Sequence, residues 1–115
     1  MGKIDFAFKP AVRVFDCNMS IGRRHDTAVS VDTAEGTIDA MQKAGVDRAL
    51  VHSRHAVYWD SEEGNDLLME SVRNHKSLYP QFVASPFENL DAFALKVLDE
   101  GVRSVRMVPT VYRFP

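Results

Sequence analysis

The 115-residue chain is 45% hydrophobic and 26% charged, the make-up of one globular domain and not of a disordered segment. Its 14 basic and 16 acidic residues are well mixed and leave a formal charge of −2, which gives neither nucleic acid nor an anionic membrane surface a footprint to bind. The single Cys17 excludes an internal disulfide, no run approaches the roughly 18 apolar residues of a membrane helix, and the opening MGKIDFAFKP lacks the apolar centre of a signal peptide, so a cytoplasmic protein is expected.

After an irregular lead-in over 1–11, Val12 and Val14 begin an alternation that predicts a buried strand running into FDCNMSIGRR, where Gly22 permits a turn. On a regular extended backbone Asp16, Asn18 and Ser20 point to one side, and Cys17, of opposite parity, is expected to pack in the interior. Asp32 and Glu35 have capping-box spacing for a first helix, whose apolar stripe Ala34, Ile38, Met41 and Ala44 stops at Gly45. DRALVHS reads as a second strand. Ser61 is placed to cap a second helix with Leu67, Leu68 and Val72 inward, and PQFVASP, bracketed by Pro80 and Pro86, reads as a third strand. A third helix carries Leu90, Ala94, Val97 and Leu98 to Gly101, and VRSVRMVP makes a fourth strand.

KAGVDRALV and DEGVRSVRMV share one grammar of helix end, glycine, valine, charged residue and strand. Such tight alternation predicts parallel pairing through crossover helices. The expected fold is α/β, a single domain over 1–115 of parallel β/α units with four strands and three helices. An open doubly wound sheet and an arc of a TIM-type barrel both accommodate it, and both place ligands at the C-terminal strand ends.

The succession VFDCNMSIGR, AGVDRALV, EGNDLLMESVRNHKSLYPQFVASP and LDEGVRSVRMVP resembles the first part of the amidohydrolase superfamily, most nearly its amidohydrolase-related branch of metal-dependent hydrolases and decarboxylases. The resemblance covers about residues 12–114. It implies the N-terminal half of a (β/α)8 barrel, since eight units need about 250 residues. It also implies a divalent metal held by a first-strand Asp-x-His-x-His, but here that frame reads Asp16, Cys17, Asn18, Met19, Ser20, with an amide and a hydroxyl in place of both imidazoles. Those are weak ligands, so no metal site is assigned.

The candidate catalytic residues are Asp16, His52 and His55, the last two in VHSRHAVYWD after the second strand, where Tyr58 and Trp59 are expected to cover the sheet. The candidate substrate-binding residues are Asn18, Ser20, Arg54 and Arg106. Each group also has a plainer reading: Asp16, Asn18 and Ser20 can satisfy backbone at a strand end, and His52 and His55 can be ordinary loop residues. Parity turns Arg106 away from the helices, where it either pairs with Asp16 or awaits an anionic substrate group. His25 and His75 attract no role beyond a polar loop and a helix end.

Two functions are open. One is the N-terminal portion of an amidohydrolase-like enzyme acting on a small molecule, inactive as this chain alone. The other is a non-catalytic α/β module or truncated relic whose first and fourth strands leave open edges. It would complete its sheet with a partner chain or a second copy, two copies forming an eight-stranded ring unless the tail with Tyr112 and Phe114 folds back over the exposed face.

Overall fold

The computed structural model describes residues 11–22 and 33–109. The lead-in before residue 11, His25 with its neighbouring Arg23 and Arg24, the capping role of Asp32, and the tail with Tyr112 and Phe114 lie outside the described residues. Within them the order is β1 (Phe15–Ile21), α1 (Ala34–Ala44), β2 (Arg48–Ser53), α2 (Arg54–Tyr58), α3 (Ser61–Val72), β3 (Leu78–Pro80), β4 (Phe82–Val83), α4 (Leu90–Asp99) and β5 (Val105–Arg106). Every strand pairing is parallel, in a sheet ordered β1, β2, β3 and a smaller sheet of β4 with β5. The α/β class and the parallel pairing are as expected; the numbers of strands and helices are not.

The difference has two local causes. The segment expected as one strand from Pro80 begins earlier, at Leu78, and changes partner at Gln81. There the Gln81 N–H donates to Val51 O at 2.7 Å, after which Phe82 N donates to Ser104 O at 3.1 Å and Ala84 N to Arg106 O at 2.8 Å. One chain segment thus serves two sheets, and β5 is only Val105–Arg106, not the whole of VRSVRMVP. The extra helix is α2, which starts directly off β2 because the Ser53 hydroxyl accepts from Ala56 N at 3.2 Å.

Each longer helix is bounded by short polar side chains that accept from its first free N–H groups. Thr33 caps α1 through Gly36 N at 3.0 Å, Asp60 caps α3 through Glu63 N at 2.7 Å, and Asn89 caps α4 through Ala92 N at 3.1 Å. The caps of α1 and α3 therefore fall on Thr33 and Asp60, one residue from the expected Asp32 and Ser61. Gly45, at φ 76°, closes α1 in the left-handed conformation that favours glycine.

The three longer helices, α1, α3 and α4, pack one face of the strands, while Ala56 and Val57 of α2 pack with Val83 and Val108. Ala34 and Met41 of α1, Leu68 and Val72 of α3, and half-buried Phe93 and Val97 of α4 meet Ile21, Ala49, Val51, Leu78, Phe82 and Val102. Five expected inward residues turn out: Ala44 and Ala94 are exposed, Leu67 is 46% exposed, Leu90 47% and Leu98 77%. In α4 the inward pair is Phe93 and Val97, one turn apart, with the Phe93 ring 6.5 Å from that of Phe82. No described helix is long and apolar enough to cross a membrane.

Candidate functional site

The strand face opposite α1, α3 and α4 carries the polar side chains, and the register of β1 on β2 decides what lies on it. Ser20 pairs with His52 and Met19 with Val51, whereas Asp16 pairs with Ala49, so one extra residue of β1 is bulged out between Asp16 and Met19. A bulge of one residue reverses side-chain parity. Asn18 and Ser20 therefore share the open face with His52, and Asp16 lies on the side of buried Ala49. Asp16 does not join Asn18 and Ser20 as expected; its Oδ1 accepts from Asn18 N at 2.8 Å, a local Asx turn that stabilises the bulge. Cys17, at the bulge, is exposed and not packed in the interior.

At the C-terminal ends of the strands this face forms a cleft of about 290 Å³, lined among the described residues by Asn18, Ser20, His52, Arg54, Val57, Tyr58, Arg106 and Val108. All four candidate substrate-binding residues meet there with one candidate catalytic residue, His52. Gly22 lets the chain leave β1 tightly over α2: its φ of 124° suits glycine, and a Cβ would stand 3.1 Å from that of Arg54. Arg54 Nε donates to Ser20 Oγ at 2.8 Å. Arg106 Nε donates to Gln81 Oε1 at 2.9 Å and its Nη2 to Asn18 Oδ1 at 2.6 Å, so the expected Arg106–Asp16 pair is replaced by two neutral amides. Gln81 is itself fixed, donating from Nε2 to Ser104 Oγ at 2.7 Å.

His55 belongs elsewhere. It lies on α2, where its Nε2 is 3.3 Å from Glu63 Oε2 without forming a good hydrogen bond, and its ring stacks on Trp59 at 5.6 Å. Trp59 and Tyr58 are 55% and 56% exposed, so they do not cover the sheet as expected. His75 follows α3 and sits 3.4 Å from Glu35.

His52 is 8% exposed, and its Nδ1 is buried with no hydrogen-bond partner. Burial, then the guanidinium groups of Arg106 and Arg54, push its pKa from 6.5 down to about 4, with the Met19 backbone acting weakly the other way. The imidazole is thus neutral near pH 7. Below its ordinary pKa the unfolded chain takes up a proton that the folded chain refuses until about 4, so folding stability is full above that range and falls as pH drops through it. Urea unfolding should show this group costing about 2 kcal/mol between about pH 7.5 and about pH 5. His52→Gln should remove that part of the slope, and an unchanged slope would show that the ring is not held in its neutral form.

Compared with known protein families, with curated proteins and with solved structures, the chain matches none. Four contributors to the site were not anticipated from the sequence: Gln81, Val57, Tyr58 and Val108. Of these only Gln81 carried a signal, as a polar residue in an otherwise apolar strand segment.

Proposed function

We propose that the chain is the N-terminal portion of an amidohydrolase-like enzyme, of hydrolase or decarboxylase type, and that its cleft receives part of a small-molecule substrate. The carrying observation is the meeting of Asn18, Ser20, His52, Arg54 and Arg106 at the C-terminal ends of parallel strands, on the face opposite the three longer helices. Under this reading the strands are roughly the first half of a TIM-type barrel, the polar face is its interior, and the protein works in the cytoplasm. The reading frame beyond Pro115 tests it. Further β/α units with histidines and an aspartate at strand ends support the enzyme; a stop codon there counts against it.

A divalent metal is usual in that family, but the residues here do not fit one. Asn18 Oδ1 is directed at Arg106, Ser20 Oγ accepts from Arg54, and both guanidinium groups line the cleft where a dication would stand. Among the described residues no three His, Cys, Asp or Glu side chains are grouped to hold a metal. The purified 115-residue chain should therefore retain no stoichiometric zinc after dialysis and show no chelator-sensitive ester or amide hydrolysis. Finding both together would refute this.

A second reading, a module completed by another copy of itself, is favoured by one observation. Val105 and Met107 at the β5 edge are 46% and 42% exposed, and Leu95, Leu98 and Phe87 on and before α4 are 69%, 77% and 78% exposed. Pairing of β5 with the β1 of a second copy would cover part of this surface by two-fold symmetry. Light scattering across a range of concentrations distinguishes a discrete dimer from a monomer that stays monomeric when concentrated, which would rule the dimer out.

A further inference from the structure

We propose that Arg106, with Asn18, Ser20 and His52, forms a docking site for the oxyanion end of a small molecule, a carboxylate or a phosphate. The inference rests on reading the cleft as a ligand site, but on neither amidohydrolase descent nor turnover.

Arg106 is the anchor. A guanidinium carries five N–H donors in a rigid fork, and Arg106 places one on Gln81 and one on Asn18. Both acceptors are neutral, and among the described residues no carboxylate pairs with Arg106, so its half-buried charge is oriented without being compensated. The Gln81–Ser104 contact stiffens that orientation. The remaining N–H groups match the bidentate geometry of carboxylate and phosphate.

The neighbouring groups add donors of the same kind. Because Asn18 gives its Oδ1 to Arg106, its Nδ2 is left to donate; because Ser20 Oγ accepts from Arg54, its own hydroxyl proton is free to point into the cleft. The His52 ring stands in the same wall. Val57, Val108 and Tyr58 offer an apolar and aromatic flank for the rest of the ligand. At about 290 Å³ the cleft lies at the small end of ligand pockets, which suits a compact molecule and not a nucleotide or a peptide.

The test is a titration of the isotopically labelled 115-residue protein with inorganic phosphate and, separately, with benzoate, at constant ionic strength, followed by NMR. Either anion should give saturable shifts at the Asn18 side-chain amide and the His52 ring, and the tighter of the two identifies the source of the oxyanion. Asn18→Asp, at an exposed position that tolerates the change, supplies Arg106 with an internal counter-ion and should weaken binding about tenfold or more. Arg106→Lys keeps the charge but loses the fork and should weaken it similarly. The proposal is overturned if neither anion gives a saturable shift, if Asn18→Asp binds as the parent does, or if the shifts scatter over exposed Arg73 and Arg103. Anion binding in a protein whose longer form turns over no hydrolase substrate would remove the enzyme reading and leave this site standing. Turnover without Arg106-dependent binding would remove this site alone.

Discussion

Gly64→Ala is expected to destabilise the protein by about 3 kcal/mol or more, against about 1 kcal/mol for Gly101→Ala. A Cβ on Gly64 would stand 2.2 Å from Ala56 N and 2.5 Å from Ala56 Cα, both backbone atoms that no rotamer change can move aside. The missing side chain is what lets α2 lie directly on α3. Ala56 cannot retreat freely either, because it is 1% exposed and packs with Val57 and fully buried Val83. Gly101 has φ +71° and nothing within 4 Å of its would-be Cβ, so an alanine there meets backbone strain alone. Urea or thermal unfolding of the two variants side by side makes the comparison. Near-equal effects would mean that α2 does not pack on α3 as described. A displaced α2 would also move Val57 and Tyr58, so the cleft should lose shape with stability.

The contrast shows which features were legible in the sequence. Helix stops were, because Gly45 and Gly101 do a local job at the end of an apolar stripe, and the parallel α/β class followed from the repeated return to a strand after each. Gly64 was visible only as a glycine inside a helical pattern, and its reason lies in another element brought against it by the fold. The same holds for α4. Leu90, Ala94, Val97 and Leu98 read as its buried stripe, yet Phe93 and Val97 face the core, because which side of a short helix turns inward is settled by its neighbours and not by its own apolar count.

In the site, the convergence of Asn18, Ser20, Arg54 and Arg106 could be anticipated from strand parity and from where α/β folds place polar loops. The fate of Asp16 could not. Strict alternation puts Asp16 with Asn18 and Ser20, and a single bulged residue removes it. Nothing in DCNMS announces the bulge other than Asp16 itself, whose short carboxylate can bond the backbone two residues on. His52 and His55 likewise looked equivalent as neighbours in VHSRHAVYWD. The Ser53 cap begins α2 between them, so one imidazole stays in the sheet wall and the other is carried round toward α3.

Asn65→Leu is expected to cost about 4 kcal/mol although it exchanges one buried side chain for another of similar size. Asn65 is 2% exposed and lies on the same side of α3 as Leu68 and Val72, a polar residue on an apolar stripe. Its amide answers the backbone of β4 from both ends: Nδ2 donates to Val83 O and Oδ1 accepts from Val83 N, each at 2.9 Å. Val83 belongs to the segment that leaves β2 at Gln81, so the helix supplies for it the pairing that a neighbouring strand would otherwise give. Leucine removes both partners and leaves a buried N–H and a buried C=O unsatisfied, each worth about 1 to 3 kcal/mol. Asn65→Asp should be no milder, since it keeps the acceptor but turns an oxygen toward Val83 O and buries a charge. Unfolding measurements on both variants check this, and a loss below about 1 kcal/mol for leucine would show that other groups satisfy Val83. The consequence reaches the cleft. Gln81, two residues before Val83, orients Arg106, so a strand freed from α3 should also lose its grip on that guanidinium, and partial retention of the fold with loss of oxyanion-dependent shifts is the pattern expected of the milder variant.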